Sequence, residues 1–229
     1  MHIHVHDIEE LPSYVANGVT GVRIMSGAKN TRALRAELSQ QSISPEIVLA
    51  SAIVDGTNPT WPGSIVVKKA EDARRAVDEI AASGADFVKV YNGIPRDAYF
   101  ALADEARKRD LPFAGHVPDT VTAQEVSAAG QHSIEHLQGI ALGCSSRQTA
   151  LTEDLLRATF FHQRLVVFAE GFRSADVHKC QQLLEQWGRA SSYPELGGRD
   201  SAMLSRRARA GSPKPFAWSY RHQEARCPP

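Results

Sequence analysis

Short apolar runs and longer amphipathic stretches alternate along the first 165 or so residues. The runs His2 to His6, Val19 to Met25, Ile47 to Asp55, Phe87 to Tyr91, Pro112 to His116 and His132 to Leu137 are rich in β-branched and aromatic residues, and they read as six strands. Between them the apolar period changes from two to nearly four. In Ala70 to Ala82 the residues Ala73, Val77 and Ile80 recur at helical spacing, and Asp97 to Arg109 reads as a second such helix. Gly18, Gly84 and Gly130 each close a helical stretch and precede a strand, the place where a left-handed C-cap needs glycine. Strand and helix alternating in this way predict an α/β fold with a parallel sheet, and six units in register favour a (β/α)8 barrel of TIM type over a short open sheet.

Past Ser145 the rhythm weakens. Leu165 to Ala169 is a candidate seventh strand, so that the barrel has six or seven, and Val177 to Trp187 reads as a helix, after which Arg, Pro, Gly and Ser dominate without a hydrophobic period. The reading is therefore a barrel over residues 1–170 and a divergent, partly disordered segment over 171–229. With 229 residues the chain has enough length for one sizeable core.

Charge changes this picture little. Basic and acidic side chains balance at 26 each, so net charge suggests neither nucleic acid nor an anionic membrane as partner. No apolar stretch approaches the roughly 20 residues that span a bilayer. The opening MHIHVHDIEE lacks the basic and apolar regions of a secretory signal, which predicts a cytoplasmic protein. The widely spaced Cys144, Cys180 and Cys227 are expected to be reduced. No glycine-rich phosphate loop opens a helix, which weighs against a phosphate-binding barrel without metal.

The histidines carry the candidate chemistry. His2, His4 and His6 alternate with aliphatics and would share one face of the first strand, where two imidazoles can grip one metal ion. His116 closes the fifth strand and His136 the sixth, and in a barrel such strand ends meet at one mouth. Lys89 stands amid Phe87, Val88, Val90 and Tyr91, a place where an ammonium must be paired, led out to solvent or chemically changed.

Two histidines on strand one, a lysine on strand four and histidines on strands five and six resemble the metal-ligand order of the amidohydrolase superfamily. The words MHIH, YVANGVTGVR, DFVKVY, GHVP and SIEHL are similar to those of its imidazolonepropionase-like and Xaa-Pro-dipeptidase-like branch, over residues 1–145. The resemblance implies two divalent ions, zinc by preference. His2 and His4 would hold one, His116 and His136 the other, and a carboxylated Lys89 would bridge them. A hydroxide between the ions would then attack the carbonyl of a small amide or dipeptide-like substrate, with Lys89 and His136 in catalytic roles.

Tyr91, Arg23 and His6 are the candidate substrate contacts, and the loop NPTWPGS around Trp61 is a candidate pocket wall. The family also has an aspartate in a G-T-D word on its eighth strand. No such word occurs here, and Asp200 in GGRDSA is the nearest imitation. That departure, with a chain starting at the metal strand, predicts a truncated frame. It keeps a catalytically inactive remnant as the alternative function, and unpaired strand edges make a homo-oligomer an expectation.

Overall fold

The computed structural model describes residues 2–4, 8–27, 30–189 and 193–194. In chain order the strands and helices are β1 (His2–Ile3), α1 (Leu11–Ala16), β2 (Gly21–Ile24), α2 (Thr31–Leu38), β3 (Glu46–Asp55), β4 (Ile65–Val66) and α3 (Ala70–Ser83). They continue with β5 (Phe87–Val90), α4 (Arg96–Lys108), β6 (Phe113–Gly115), α5 (Ala123–Ala128) and β7 (Ser133–Ile134). The helices α6 (Ile140–Cys144), α7 (Gln148–Arg157), α8 (Phe161–Arg173) and α9 (Val177–Arg189) lead to β8 (Tyr193–Pro194).

The sheet is parallel throughout, in the order β1-β2-β3-β5-β6-β7-β8 with β4 beside β3. Its curvature follows from one contact. From β2 to β7 there are four strand steps, which in a flat sheet would separate them by about 19 Å. Yet Arg23 Nη1 on β2 donates to Ser133 Oγ on β7 at 2.9 Å. The sheet is therefore curled so that these two strands face each other across a concave interior, an incomplete barrel rather than a closed ring of eight.

Strand alternation then sorts the side chains. Val88 and Val90 on β5 pack outward with the helix residues Val77, Ile80 and Leu102. Ile3, Val22 and Ile24 form a second outward cluster with Leu11 and Leu38. The residues between them, His2, Arg23 and Lys89, fall on the inner face. Lys89 is 1% exposed, and its backbone N–H donates to Ser51 Oγ at 3.1 Å across a register shift in β3 between Ala50 and Ile53.

Two expectations are corrected. Leu165 to Ala169 is not a strand but the middle of α8. An apolar run of five suits either element, and here the flanks decide. The Gln163 side chain accepts from the backbone N–H groups of Thr159 and Phe160 at 2.9 and 3.0 Å, capping a helix start. Val167 and Gly171, one turn apart, then bury against α6, where Gly171 lies so close to Ala141 that a Cβ would meet its backbone at 3.2 Å.

Cys144 and Cys180 are not reduced bystanders either: they form a disulfide. They stand 36 residues apart in sequence, but α6 and α9 pack side by side and bring their Cα atoms to 4.5 Å. Among the described residues no helix is long and apolar enough to cross a membrane. His6, Asp200, Cys227 and the segment beyond residue 194 lie outside the described residues.

Candidate metal centre

Four imidazoles form a row at the C-terminal ends of the strands. The ring centroids of His4 and His2 are 5.1 Å apart, those of His2 and His136 4.9 Å, and those of His136 and His116 5.5 Å. The structure thus gathers His2, His4, His116 and His136, which the chain separates by up to 134 positions. Tyr91 joins them, its ring stacked on His116 at 4.2 Å. Its hydroxyl accepts from Trp61 Nε1 at 3.0 Å, tying the NPTWPGS loop to the site.

Beneath the row lies a buried carboxylate that the sequence reading missed. Glu135 is fully buried, and its Oε2 accepts from His2 Nδ1 at 2.7 Å. Arg23 Nη2 reaches both carboxylate oxygens at 3.1 Å, and Ser133 Oγ donates to Oε1 at 2.6 Å. Arg23 is therefore a buried partner of Glu135, 5% exposed. Burial alone would raise the Glu135 carboxyl. The His2 hydrogen bond, the Arg23 charge, Ser133 and the Lys89 charge outweigh it and hold the group well below the usual carboxylate range. The signal available in SIEHL was an acid at the end of a strand run, next to the histidine that drew attention.

These bonds set the chemistry of the rings. An ionised carboxylate only accepts, so His2 carries a proton on Nδ1, and Nε2 is the ring nitrogen left to face a ligand. His116 Nδ1 likewise donates to Asn92 Oδ1 at 2.6 Å, leaving the same tautomer. Burial, then the nearby charges of Lys89 and His136, push the His116 pKa down to about 2, so its ring is neutral at any ordinary pH. Metal-ligating histidines have their other ring nitrogen engaged by a carboxylate or carbonyl in this way.

Spacing agrees at one pair. Two imidazoles on one tetrahedral zinc, with bonds of about 2.0–2.1 Å, have their nitrogens about 3.3 Å apart. His2 Nε2 and His4 Nε2 are 3.1 Å apart. As the side chains lie, no group of three or more His, Cys, Asp or Glu converges on one point among the described residues. The donor set fits a divalent ion in chemistry, while the 3.1 Å between His2 Nε2 and His4 Nε2 is equally a hydrogen-bond distance.

His136 also carries backbone strain. It and Leu137 sit in the left-handed region at φ 58° and 53°, a conformation that costs non-glycine residues about 1–3 kcal/mol and that clusters at functional sites. The twist directly follows β7, and His136 lines a cleft of about 800 Å³ together with Tyr91, Asn92 and His116.

Comparison with known proteins bears on the fold. No protein-family model and no curated protein sequence matches the chain. Among solved structures, bottromycin amidohydrolase superposes with a TM-score of 0.55 at 19% identity, over 93% of this chain and 62% of that one. The ochratoxinase of A. niger gives 0.51 at 13% identity, over 89% and 59%. A further amidohydrolase gives 0.50 at 16% identity, over 82% and 56%. The fold is that of the amidohydrolases. This chain spans about three fifths of the length of these solved structures. The amidohydrolase words read from the sequence fall on β1, β2, β5, β6 and β7, so the strands that carry them are consecutive around the curled sheet apart from β3.

Proposed function

We propose that this chain is part of a metal-dependent hydrolase of amide bonds, acting on small amides or dipeptide-like molecules. His2 and His4 would hold one divalent ion and His116 and His136 a second, zinc being the natural choice for imidazole ligands. Lys89, as its carbamate, would join the two sets, which would also dispose of the ammonium that its burial makes costly. Bound there, such ions supply Lewis-acid activation of water and of the amide carbonyl.

The chain's own side chains do the rest. Glu135 and Asn92 hold the His2 and His116 rings in one tautomer and one orientation. Arg23 and Ser133 keep Glu135 ionised so that it can go on accepting. Tyr91, whose oxygen accepts from Trp61, lines the cleft and would offer its own O–H to a substrate oxygen. The observation that carries the reading is the pair of locked tautomers beside the buried Lys89.

Metal content of the purified chain, measured beside His116→Ala, tests it. About two ions per chain, falling by about one in the variant, is the expected result. A chain that retains no zinc, manganese or iron after dialysis against buffered metal overturns the proposal. A second reading, a metal-binding chain without turnover, is favoured by the missing G-T-D word. Retained metal with no release of amine from any dipeptide or N-acyl amino acid would select it.

A further inference from the structure

The cleft that His116 and His136 line is also lined by the helix α8, whose sequence pattern carries further information. Phe161, Arg164, Phe168 and Phe172 follow one another at spacings of three, four and four, so a single helix face presents three aromatic rings and one guanidinium to the cleft. Phe161 and Phe172 are 75% and 69% exposed, although they line a concavity beside polar groups. Apolar rings with a few placed polar groups are what a small-molecule site presents.

Arg164 is not a loose surface cation. Its Nη1 and Nη2 donate to Asp119 Oδ2 and Oδ1, both at 2.7 Å, and the side chains are 22% and 18% exposed. Asp119 in turn accepts from Asn92 Nδ2 at 3.3 Å, and its backbone N–H donates to Asn92 O at 2.9 Å. Asn92 is the acceptor that holds His116. A continuous hydrogen-bonded chain, His116 to Asn92 to Asp119 to Arg164, therefore sets the guanidinium at a fixed place relative to the candidate metal histidines.

We propose that Arg164 is a specificity-determining residue that receives the free carboxylate of an amide substrate whose apolar or aromatic side chain lies against Phe161, Phe168 and Phe172. Asp119 is its positioning residue. A bidentate pair uses one edge of the planar guanidinium and leaves N–H groups on the others, directed by that pairing. The assignment rests on the amide-hydrolase reading for its choice of ligand, but it concerns binding and can be tested apart from turnover.

Titration calorimetry on the full chain, with N-acetyl-L-phenylalanine and its uncharged carboxamide as probes, decides it. The acid should bind about tenfold or more tighter than the carboxamide, since a charge-assisted bidentate contact is lost in the latter. Arg164→Gln should remove that preference, Arg164→Lys should retain only part of it, and Phe168→Ala should weaken both probes alike. Equal binding of the two probes, binding of neither, or a preference that survives Arg164→Gln would overturn the assignment. If Arg164→Gln does not fold, the acid-to-carboxamide ratio of the unaltered chain decides. Phenylalanine release, followed in parallel, separates the two claims. Preference without release counts against the hydrolase reading alone, and release without preference counts against Arg164 alone.

Discussion

Replacing Glu135 by glutamine is the most informative perturbation of the site. The change is nearly isosteric, so it leaves packing in place and removes charge. In the native arrangement the carboxylate accepts from His2, Ser133 and Arg23, and Arg23 is itself buried. Glutamine has one oxygen and one NH2 group, so at least one of those donors must face another donor. Breaking a buried pair and stranding its partner costs about 3–5 kcal/mol. Against the roughly 5–15 kcal/mol that holds a domain together, this is a large fraction. Urea denaturation at neutral pH should show the loss as a lowered midpoint at unchanged slope. The double variant Arg23→Met with Glu135→Leu should lose less than the sum of its single variants, since an apolar pair strands no charge. Metal affinity should fall about 10–100-fold in Glu135→Gln, because His2 loses the group that orients it. A cost below about 1 kcal/mol, or strictly additive single losses, would refute the reasoning.

Other outcomes follow from single contacts. Gly115 has φ 143°, and a Cβ there would meet Val90 O at 2.2 Å, so Gly115→Ala should cost about 3 kcal/mol or more and lower the thermal midpoint sharply. Arg96 donating to Glu125, together with the Thr122 cap, lowers the Glu125 pKa to about 2 from 4.5. That stability is fully present above pH 4.5 and is lost as pH falls toward 2; with the pair partly exposed it amounts to about 1 kcal/mol, and Glu125→Gln should flatten the acid limb of a pH-stability curve by that much. Reduction of the Cys144–Cys180 bond, which closes a loop of 36 residues, should lower stability by about 3–4 kcal/mol, and the thiol titre should rise by two per chain.

Local pattern was enough to read much of the scaffold. The period-two runs became β1, β2, β3, β5, β6 and β7, and the helix at Ala70 begins and ends within a residue or so of its expected bounds, because Gly84 at φ 82° supplies a left-handed stop that other residues resist. The places of His116 and His136 at strand ends were likewise legible, since a strand end is a local property. What failed were questions that local pattern cannot pose. Leu165 to Ala169 is apolar enough for either element, and the Gln163 cap at its start together with the close seat of Gly171 against α6 decided for the helix. Cys144 and Cys180 are remote in sequence and adjacent only because two helices pack together.

The inner network belongs to tertiary structure for the same reason. Arg23 meets Ser133 and Glu135 across more than 100 residues, and no spacing rule connects them. Their contact exists because the sheet curls, and that curvature is the sum of many strand twists rather than a property of any one strand. The alternation of residues on β1, β2 and β5 determined that His2, Arg23 and Lys89 share a face. The tertiary fold decided what that face encloses: a buried carboxylate that orients His2, and the Arg23 guanidinium and Ser133 hydroxyl that hold it.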